Sequence, residues 1–308
     1  MNKNLFLLRS LLFVPGHNEK LIDSAAKSIA DALLFDLEDS VQPPSNKALA
    51  RKLIVQKLEN KKFKRFNKFV RLNDIQTEYF LQDVLELTRT CIDGFLLSKT
   101  NTKEDIIYLD NLLGSIERER GMPSNTFCII PILESAQSIV NINEIAKSST
   151  RIIALGFGSE DFVSDIKGVR DFNTNISIDY PRKMVPIVAR ANNLEAIDAA
   201  YIKVHDLEGL ESHLSTGKVL GYSGMWVLHP KQNEMVNTIY SPTKQELDDS
   251  KEFLRLYNKA NKLNKGVAII EGKFVGPPLV TKSNDIIARS EMIQEKENLK
   301  HTKEWKKL

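Results

Sequence analysis

The chain has 308 residues, enough for one barrel-sized domain or two smaller ones. Its 42% hydrophobic and 27% charged residues match globular averages and exclude a disordered or coiled-coil protein. A net charge of +3, from 43 basic against 40 acidic residues, gives no basic footprint for a nucleic acid.

The N-terminal segment LFLLRSLLFVPG is apolar, but Arg9 interrupts it and no small-residue cleavage site follows. It is also too short to span a bilayer, so no membrane association is expected, and its second half reads as a first strand. Similar apolar runs recur along the chain. RSLLFVP begins at Arg9, ALLFDLED at Ala32, KFVRLN at Lys68 and GFLLSK at Gly94. CIIPILE then begins at Cys128, RIIALGFGSED at Arg151, AIDAAY at Ala196 and GMWVLHP at Gly224. Continuous runs of this length suit strands buried on both faces, as in parallel sheets. Helical patterns fill most of the intervals, among them LIDSAAKSIA, LQDVLELTRT and SIVNINEIAKSS. This repeated alternation predicts an α/β fold, a TIM (β/α)8 barrel, over residues 1–240. An open doubly wound sheet is the competing architecture. Against it, VPGHNEK is not a glycine-rich phosphate loop, and GFGSED places acids where a pyrophosphate would sit.

From about Ser241 the pattern changes. SPTKQELDDSKEFLRLYNKANKLNKG predicts a helix and VAIIEGKFVGPPLV a short hairpin turning at EGK. A second helix begins near Ser283, ahead of a charged, frayed tail. With the barrel strands already assigned, residues 241–308 read as a C-terminal helical and hairpin appendage, of a kind that packs on a neighbouring subunit. Cys91 and Cys128 match no disulfide or zinc spacing. They read as small buried hydrophobes, consistent with a reducing cytoplasm.

In a TIM barrel the chemistry gathers at the C-terminal strand ends. Those ends carry Asp36, Glu38 and Asp39, then Arg71 and Asn73, Lys99, Glu134, Glu160 and Asp161, and His229. Collecting so many ionisable groups costs desolvation and repulsion that stability alone does not require. Acids outnumber cations, and a hard divalent ion such as magnesium resolves the surplus. Glu134 and Asp161, on neighbouring strands, are the best pair to coordinate it. Arg71 suits a two-pronged grip on a substrate carboxylate, with Glu38 or Asp39 as its structural partner. Lys99 offers a Schiff-base alternative, which a metal makes unnecessary. His229, beside Pro230, reads as a packed or hydrogen-bonded residue rather than a base.

These segments resemble the citrate lyase beta subunit-like family, within the HpcH/HpaI aldolase/citrate lyase superfamily. RSLLFVPGHNEK and ADALLFDLEDSV carry the opening of the resemblance. VRLND, GFLLSKT, PILESAQSIVNINEIA, RIIALGFGSEDFVSDI, GYSGMWVLHPKQNEMVN and GVAIIEGKFVGPP continue it in order. The resemblance implies magnesium held by Glu134 and Asp161, Arg71 on the carboxylate of a keto or hydroxy acid, and Glu38 ordering water or Arg71. It implies coenzyme A thioesters of the citryl, malyl or citramalyl type as substrates, with Phe13 and Lys20 contacting the pantetheine and phosphate portion of coenzyme A. It further implies a homotrimer or a multiple of one, and an acyl-carrier protein as a partner where the chain works as a citrate lyase subunit. One departure stands out. Malyl-type members carry an aspartate after a DGKM-like turn, supplied from the next subunit, whereas EGKFVGPP places Gly276 there and leaves Glu271 at the turn. Three functions therefore remain open: a coenzyme A thioester lyase, a metal-dependent aldolase on a free hydroxy-keto acid, and a beta subunit acting only within a complex.

Overall fold

The computed structural model describes residues 6–262, 268–270, 273–276 and 278–300. The chain divides between Tyr240 and Ser241 into two compact units. In the first, eight parallel strands close into a barrel in sequence order. They are β1 (Ser10–Pro15), β2 (Ala32–Asp36), β3 (Asn67–Leu72), β4 (Gly94–Leu97), β5 (Cys128–Leu133), β6 (Ala154–Phe157), β7 (Glu195–Asp198) and β8 (Gly224–Val227). Closure comes from β8 pairing back on β1, with Ser10 beside Met225 and Leu12 beside Val227. The helices are α1 (Glu19–Ala25), α2 (Lys47–Leu58), α3 (Phe80–Leu87), α4 (Lys103–Glu119), α5 (Ala136–Val140) and α6 (Ile142–Lys147). α7 (Ser159–Asp165), α8 (Asp179–Ala191), α9 (Leu207–Leu220) and α10 (Asn233–Ile239) complete this unit. It is a TIM barrel. Helix α1 stops short of the predicted LIDSAAKSIA span, because the amides of Lys27 and Ser28 bond only three residues back, at 2.9 and 3.0 Å.

Burial on both strand faces explains the unbroken apolar runs. One set of side chains, including Leu11, Leu34, Phe69, Leu96, Ile130 and Trp226, fills the barrel interior. The alternate set, including Leu12, Leu33, Phe35, Val70 and Leu155, belongs to a second cluster shared with the helices. Gly156 lets the Trp226 indole cross the interior, since a Cβ there would collide with the ring. The indole Nε1 then donates to the Phe157 carbonyl at 2.9 Å. Arg9, the charge that interrupts the first apolar segment, is only 4% exposed. Its Nε and Nη2 bond the two oxygens of fully buried Asp31 at 2.7 and 2.9 Å, so the charge is matched where it is buried. Cys128 follows the expectation of burial, which pushes its thiol up to about 12. Cys91 does not. It is exposed in the connection between α3 and β4, where Ile92 takes the buried place instead.

A polar cluster lies under α8 and α9. Arg182 holds Asp198 through Nη2 at 2.6 Å, and His213 places Nε2 3.5 Å from the same carboxylate and 3.2 Å from the Ala199 carbonyl. Burial lowers the His213 imidazole from 6.5 to about 4, helped by the positive charges of Arg182 and Arg170 and opposed by Asp198 and the Ala199 carbonyl. The folded state therefore binds this proton less tightly than the unfolded chain. The contribution of His213 to stability is complete above about pH 6.5 and falls as the pH drops toward 4, by up to about 3 kcal/mol. Glu38 and Glu134 are raised and change stability in the opposite direction over the same range, so the His213 contribution is read as a difference. On going from pH 7 to pH 4.5 in urea unfolding, His213→Gln should lose less stability, or gain more, than the wild type. An unchanged slope in the variant would assign the loss elsewhere.

The second unit contains α11 (Lys244–Lys262), an antiparallel pair of β9 (Ala268–Ile270) and β10 (Lys273–Val275), and α12 (Pro278–Lys300). The pairing of Ala268 with Val275 and Ile270 with Lys273 matches the predicted hairpin, whose turn residues Glu271 and Gly272 lie outside the described residues. Helix α12 begins at Pro278, five residues before the predicted start near Ser283. Proline is well placed at a helix start, where its missing N–H leaves no hydrogen bond unmade. The helix also runs to Lys300, into the stretch expected to fray. Among the described residues, no helix is long and apolar enough to cross a membrane.

Candidate active site

Parallel register sets the first half of the site. Asp36 at the end of β2 lies beside Arg71 on β3. The Arg71 Nε and Nη2 donate to Oδ1 and Oδ2 of Asp36, both at 2.7 Å, in a planar two-bond clamp. The carboxylate also accepts the amides of Glu38 at 2.9 Å and Ser40 at 3.1 Å. Burial alone would raise Asp36, but the Arg71 charge and these hydrogen bonds override it and hold the acid below its usual range. Arg71 Nη1 turns to Glu38 Oε2 at 3.0 Å and to Asp39 Oδ2 at 3.4 Å. Its guanidinium carbon lies 4.9 Å from the centre of the Phe13 ring, so one face is covered by an aromatic lid. Lys47 fixes the backbone below, donating to the Leu37 and Glu38 carbonyls at 2.8 and 2.6 Å.

Glu38 is 5% exposed and shares its Oε1 with the Lys99 ammonium at 3.2 Å. Burial, together with the hydrogen bond and charge of Asp39, pushes Glu38 up to about 7 against the pull of Arg71 and Lys99. Glu134 follows β5 and is 6% exposed. Its Oε1 accepts the Lys99 backbone N–H at 2.6 Å. Gly158 makes the second oxygen's position accessible: a Cβ on that residue would lie 2.6 Å from the Glu134 Cβ and 2.8 Å from Oε2. Burial pushes Glu134 up to about 8, and the negative charges of Asp161 and Glu38 add to the rise against the Lys99 amide and Arg71.

Asp161 stands in the first turn of α7, exposed and tied by no hydrogen bond or ion pair among the described residues. Its neighbour Glu160 is engaged elsewhere, by Arg170 Nε at 3.1 Å and Ser159 Oγ at 3.0 Å. Thus Glu134 and Asp161 form an acid pair whose mutual repulsion either a proton or a cation relieves. No group of three or more His, Cys, Asp or Glu side chains gathers as a metal cluster among the described residues. Two carboxylates with the remaining positions left to water and substrate suit magnesium better than zinc or calcium.

Of the residues singled out in the sequence, the structure brings together Arg71, Glu38, Glu134 and Phe13, with Asp161 in electrostatic contact with Glu134. Lys20 is exposed on α1, and no hydrogen bond or ion pair joins it to the cluster. Asn73 is structural, donating to Asp83 at 2.7 Å. His229 accepts the Lys231 amide on Nδ1 at 3.2 Å and so caps a short turn, as its place beside Pro230 suggests. Sequence reasoning missed Asp36 as the principal partner of Arg71. The available signal was that both residues sit at the rim of adjacent strands. It also missed the amide of Lys99, for which residue type gives no signal.

Residues 9–230 match the family described as HpcH/HpaI aldolase/citrate lyase. The chain belongs to this family. Membership of the HpcH/HpaI aldolase/citrate lyase family makes it a lyase. The citrate lyase subunit beta of Leuconostoc mesenteroides subsp. cremoris is 30% identical, aligned over 91% of this chain and 92% of that protein. The L-malyl-CoA/beta-methylmalyl-CoA lyase of Cereibacter sphaeroides is 27% identical over 92% of this chain and 95% of its own. Among solved structures, CitE of Mycobacterium tuberculosis in complex with magnesium, acetoacetate and coenzyme A superposes with a TM-score of 0.71. At 23% identity, covering 92% of this chain and all of that one, it supports the barrel fold.

Proposed function

We propose that this chain is a magnesium-dependent carbon–carbon lyase that cleaves or forms a 3-hydroxyacyl coenzyme A thioester of the citryl, malyl or citramalyl class. One observation carries the reading: buried Glu134 feels the charges of exposed Asp161 and of Arg71, and Arg71 is clamped in place by Asp36. Glu134 and Asp161 would hold magnesium, which supplies when bound a positive charge that polarises an oxygen of the substrate. The other roles belong to the chain itself. Arg71 binds and orients the carboxylate of the acid fragment, because Asp36 has already fixed the plane of its guanidinium. Glu38 orients Arg71 through Oε2 and Lys99 through Oε1. Phe13 excludes water from the covered face of the guanidinium, which strengthens the charges beneath it. The name of the Cereibacter relative, an L-malyl-CoA/beta-methylmalyl-CoA lyase, supports a thioester over a free acid.

Incubating the purified protein with citryl-, malyl- and citramalyl-CoA, with magnesium or with excess chelator, tests the proposal. Cleavage of at least one thioester, lost in chelator, is the expected result. Turnover confined to a free hydroxy-keto acid would replace the proposal with the aldolase reading. The likeness to a citrate lyase subunit favours a second arrangement, in which activity appears only with an acyl-carrier protein added. In either arrangement we propose a cytoplasmic homo-oligomer, a trimer or a multiple of one, in which residues 241–308 pack on a neighbouring copy. Sedimentation of the full chain against a chain ending at residue 240 tests that assembly.

A further inference from the structure

Lys99 lies between the two buried acids Glu38 and Glu134, and its backbone is the unusual one. It follows β4 with φ at +50°, a left-handed conformation that side-chain-bearing residues avoid. Both neighbours hold it there. Ser98 Oγ donates to the Leu72 carbonyl at 3.0 Å, and Thr100 Oγ1 donates to the Leu97 carbonyl at 2.9 Å. Both residues are 1% exposed, so the turn is tied to the ends of β3 and β4 from within the protein. In this conformation the Lys99 N–H reaches Glu134 Oε1 at 2.6 Å, while the ammonium lies 3.2 Å from Glu38 Oε1. A single residue therefore touches the acid after β5 with its main chain and the acid after β2 with its side chain. Glycine or asparagine would take this backbone shape more readily, so the lysine side chain does not ease the conformation the amide needs.

We infer that Lys99 is a positioning residue with two separable holds. Its amide fixes Glu134 by Oε1 and leaves Oε2, beside Gly158, for a ligand, and its ammonium fixes Glu38 against Arg71. The ligand is magnesium only if the proposed lyase reading is right; the holds themselves need no metal. The two holds come apart in variants. Lys99→Gly keeps the amide and its conformation and loses the ammonium. Lys99→Ile loses the ammonium and, being β-branched, resists a positive φ as well.

The first measurement is urea unfolding in chelator, as a double-mutant cycle of Lys99→Ile with Glu134→Ala. The effect of Lys99→Ile on the unfolding equilibrium constant should shrink by about fivefold or more once Glu134 is gone. Losses that simply add would overturn the amide's hold. Should Lys99→Ile fail to fold, Lys99→Ala carries a milder form of the same backbone penalty through the same cycle. The second measurement is calorimetric titration with magnesium chloride. Lys99→Gly should bind within about threefold of the wild type, and Lys99→Ile about tenfold or more weakly. Equal weakening in both would overturn the separation of the two holds. For the ammonium, Lys99→Gly should raise the KM of the acid fragment, and Lys99→Arg should restore it; no rescue would overturn that role. A wild-type protein that binds no magnesium would remove the proposed magnesium-dependent reading and leave the chelator cycle to decide on Lys99.

Discussion

Glu134→Gln should lower magnesium-dependent turnover roughly a thousandfold, about 4 kcal/mol, while leaving the metal-free fold as stable as the wild type or more so. The two signs have one cause. Glu134 is a buried carboxylate with one hydrogen bond and two like charges nearby, so the ionised form is unfavourable until a cation joins it. A neutral amide of the same shape removes that repulsion and can still accept the Lys99 N–H through its oxygen. What it cannot do is contribute a negative charge to a divalent ion. Asp161→Asn should cost a comparable share of turnover, yet shift metal-free stability by less than about 0.5 kcal/mol, because this acid is exposed and unengaged. Melting with and without magnesium separates the effects. The wild type should gain stability as magnesium rises, and both variants should lose most of that gain. A Glu134→Gln protein with an intact magnesium-induced shift, or full turnover in chelator, would rule the pair out as the metal site.

The barrel was legible because its strands are buried on both sides, which writes each one as an unbroken apolar run with polar residues at its rim. Every predicted run overlaps an observed strand, from Ser10–Pro15 to Gly224–Val227, with β3 and β7 each starting one residue earlier than its run. The acids of the mouth were legible for the same reason: position on a strand end depends on periodicity, which sequence displays. Which acid meets which base was less so. The sequence points to Glu38 or Asp39 as the structural partner of Arg71, but Asp36 takes the two short bonds, because register between β2 and β3 places it directly across. Register is a property of two strands, and neither strand records it alone. The Lys99 amide was illegible altogether, since φ follows from how Ser98 and Thr100 are tied down. Cys91 misled through its apolar neighbours, of which Ile92, not the cysteine, is buried. Phe13, which the resemblance assigns to coenzyme A contact, lies over Arg71, a contact that residue type alone does not display, and Lys20, assigned alongside it, is exposed on α1.

Asp36→Asn should be the most destabilising single change in the mouth, costing about 3 kcal/mol, and should weaken substrate binding along with it. The carboxylate is 1% exposed and receives four donors: Arg71 Nε and the Glu38 amide on Oδ1, Arg71 Nη2 and the Ser40 amide on Oδ2. Asparagine fits the space but not the chemistry. Whichever way the amide is turned, its NH2 faces two of those donors, and a buried guanidinium loses its nearest counter-charge. Glu38 and Asp39 still face Nη1, which keeps the cost below that of an isolated charge. Glu38→Gln, by contrast, weakens contacts with one nitrogen of Arg71 and with the half-exposed Lys99 ammonium, and should cost less than about 1.5 kcal/mol. Arg71→Met should abolish the grip on a substrate carboxylate and leave Asp36 buried without its partner. Combining it with Asp36→Asn should then be less damaging than the sum of the two, because neither half of the clamp remains to be left unpaired. Urea unfolding of the four proteins measures this coupling directly. If Asp36→Asn matched wild-type stability and KM, the clamp would not be what holds Arg71 in register with the acids of the site.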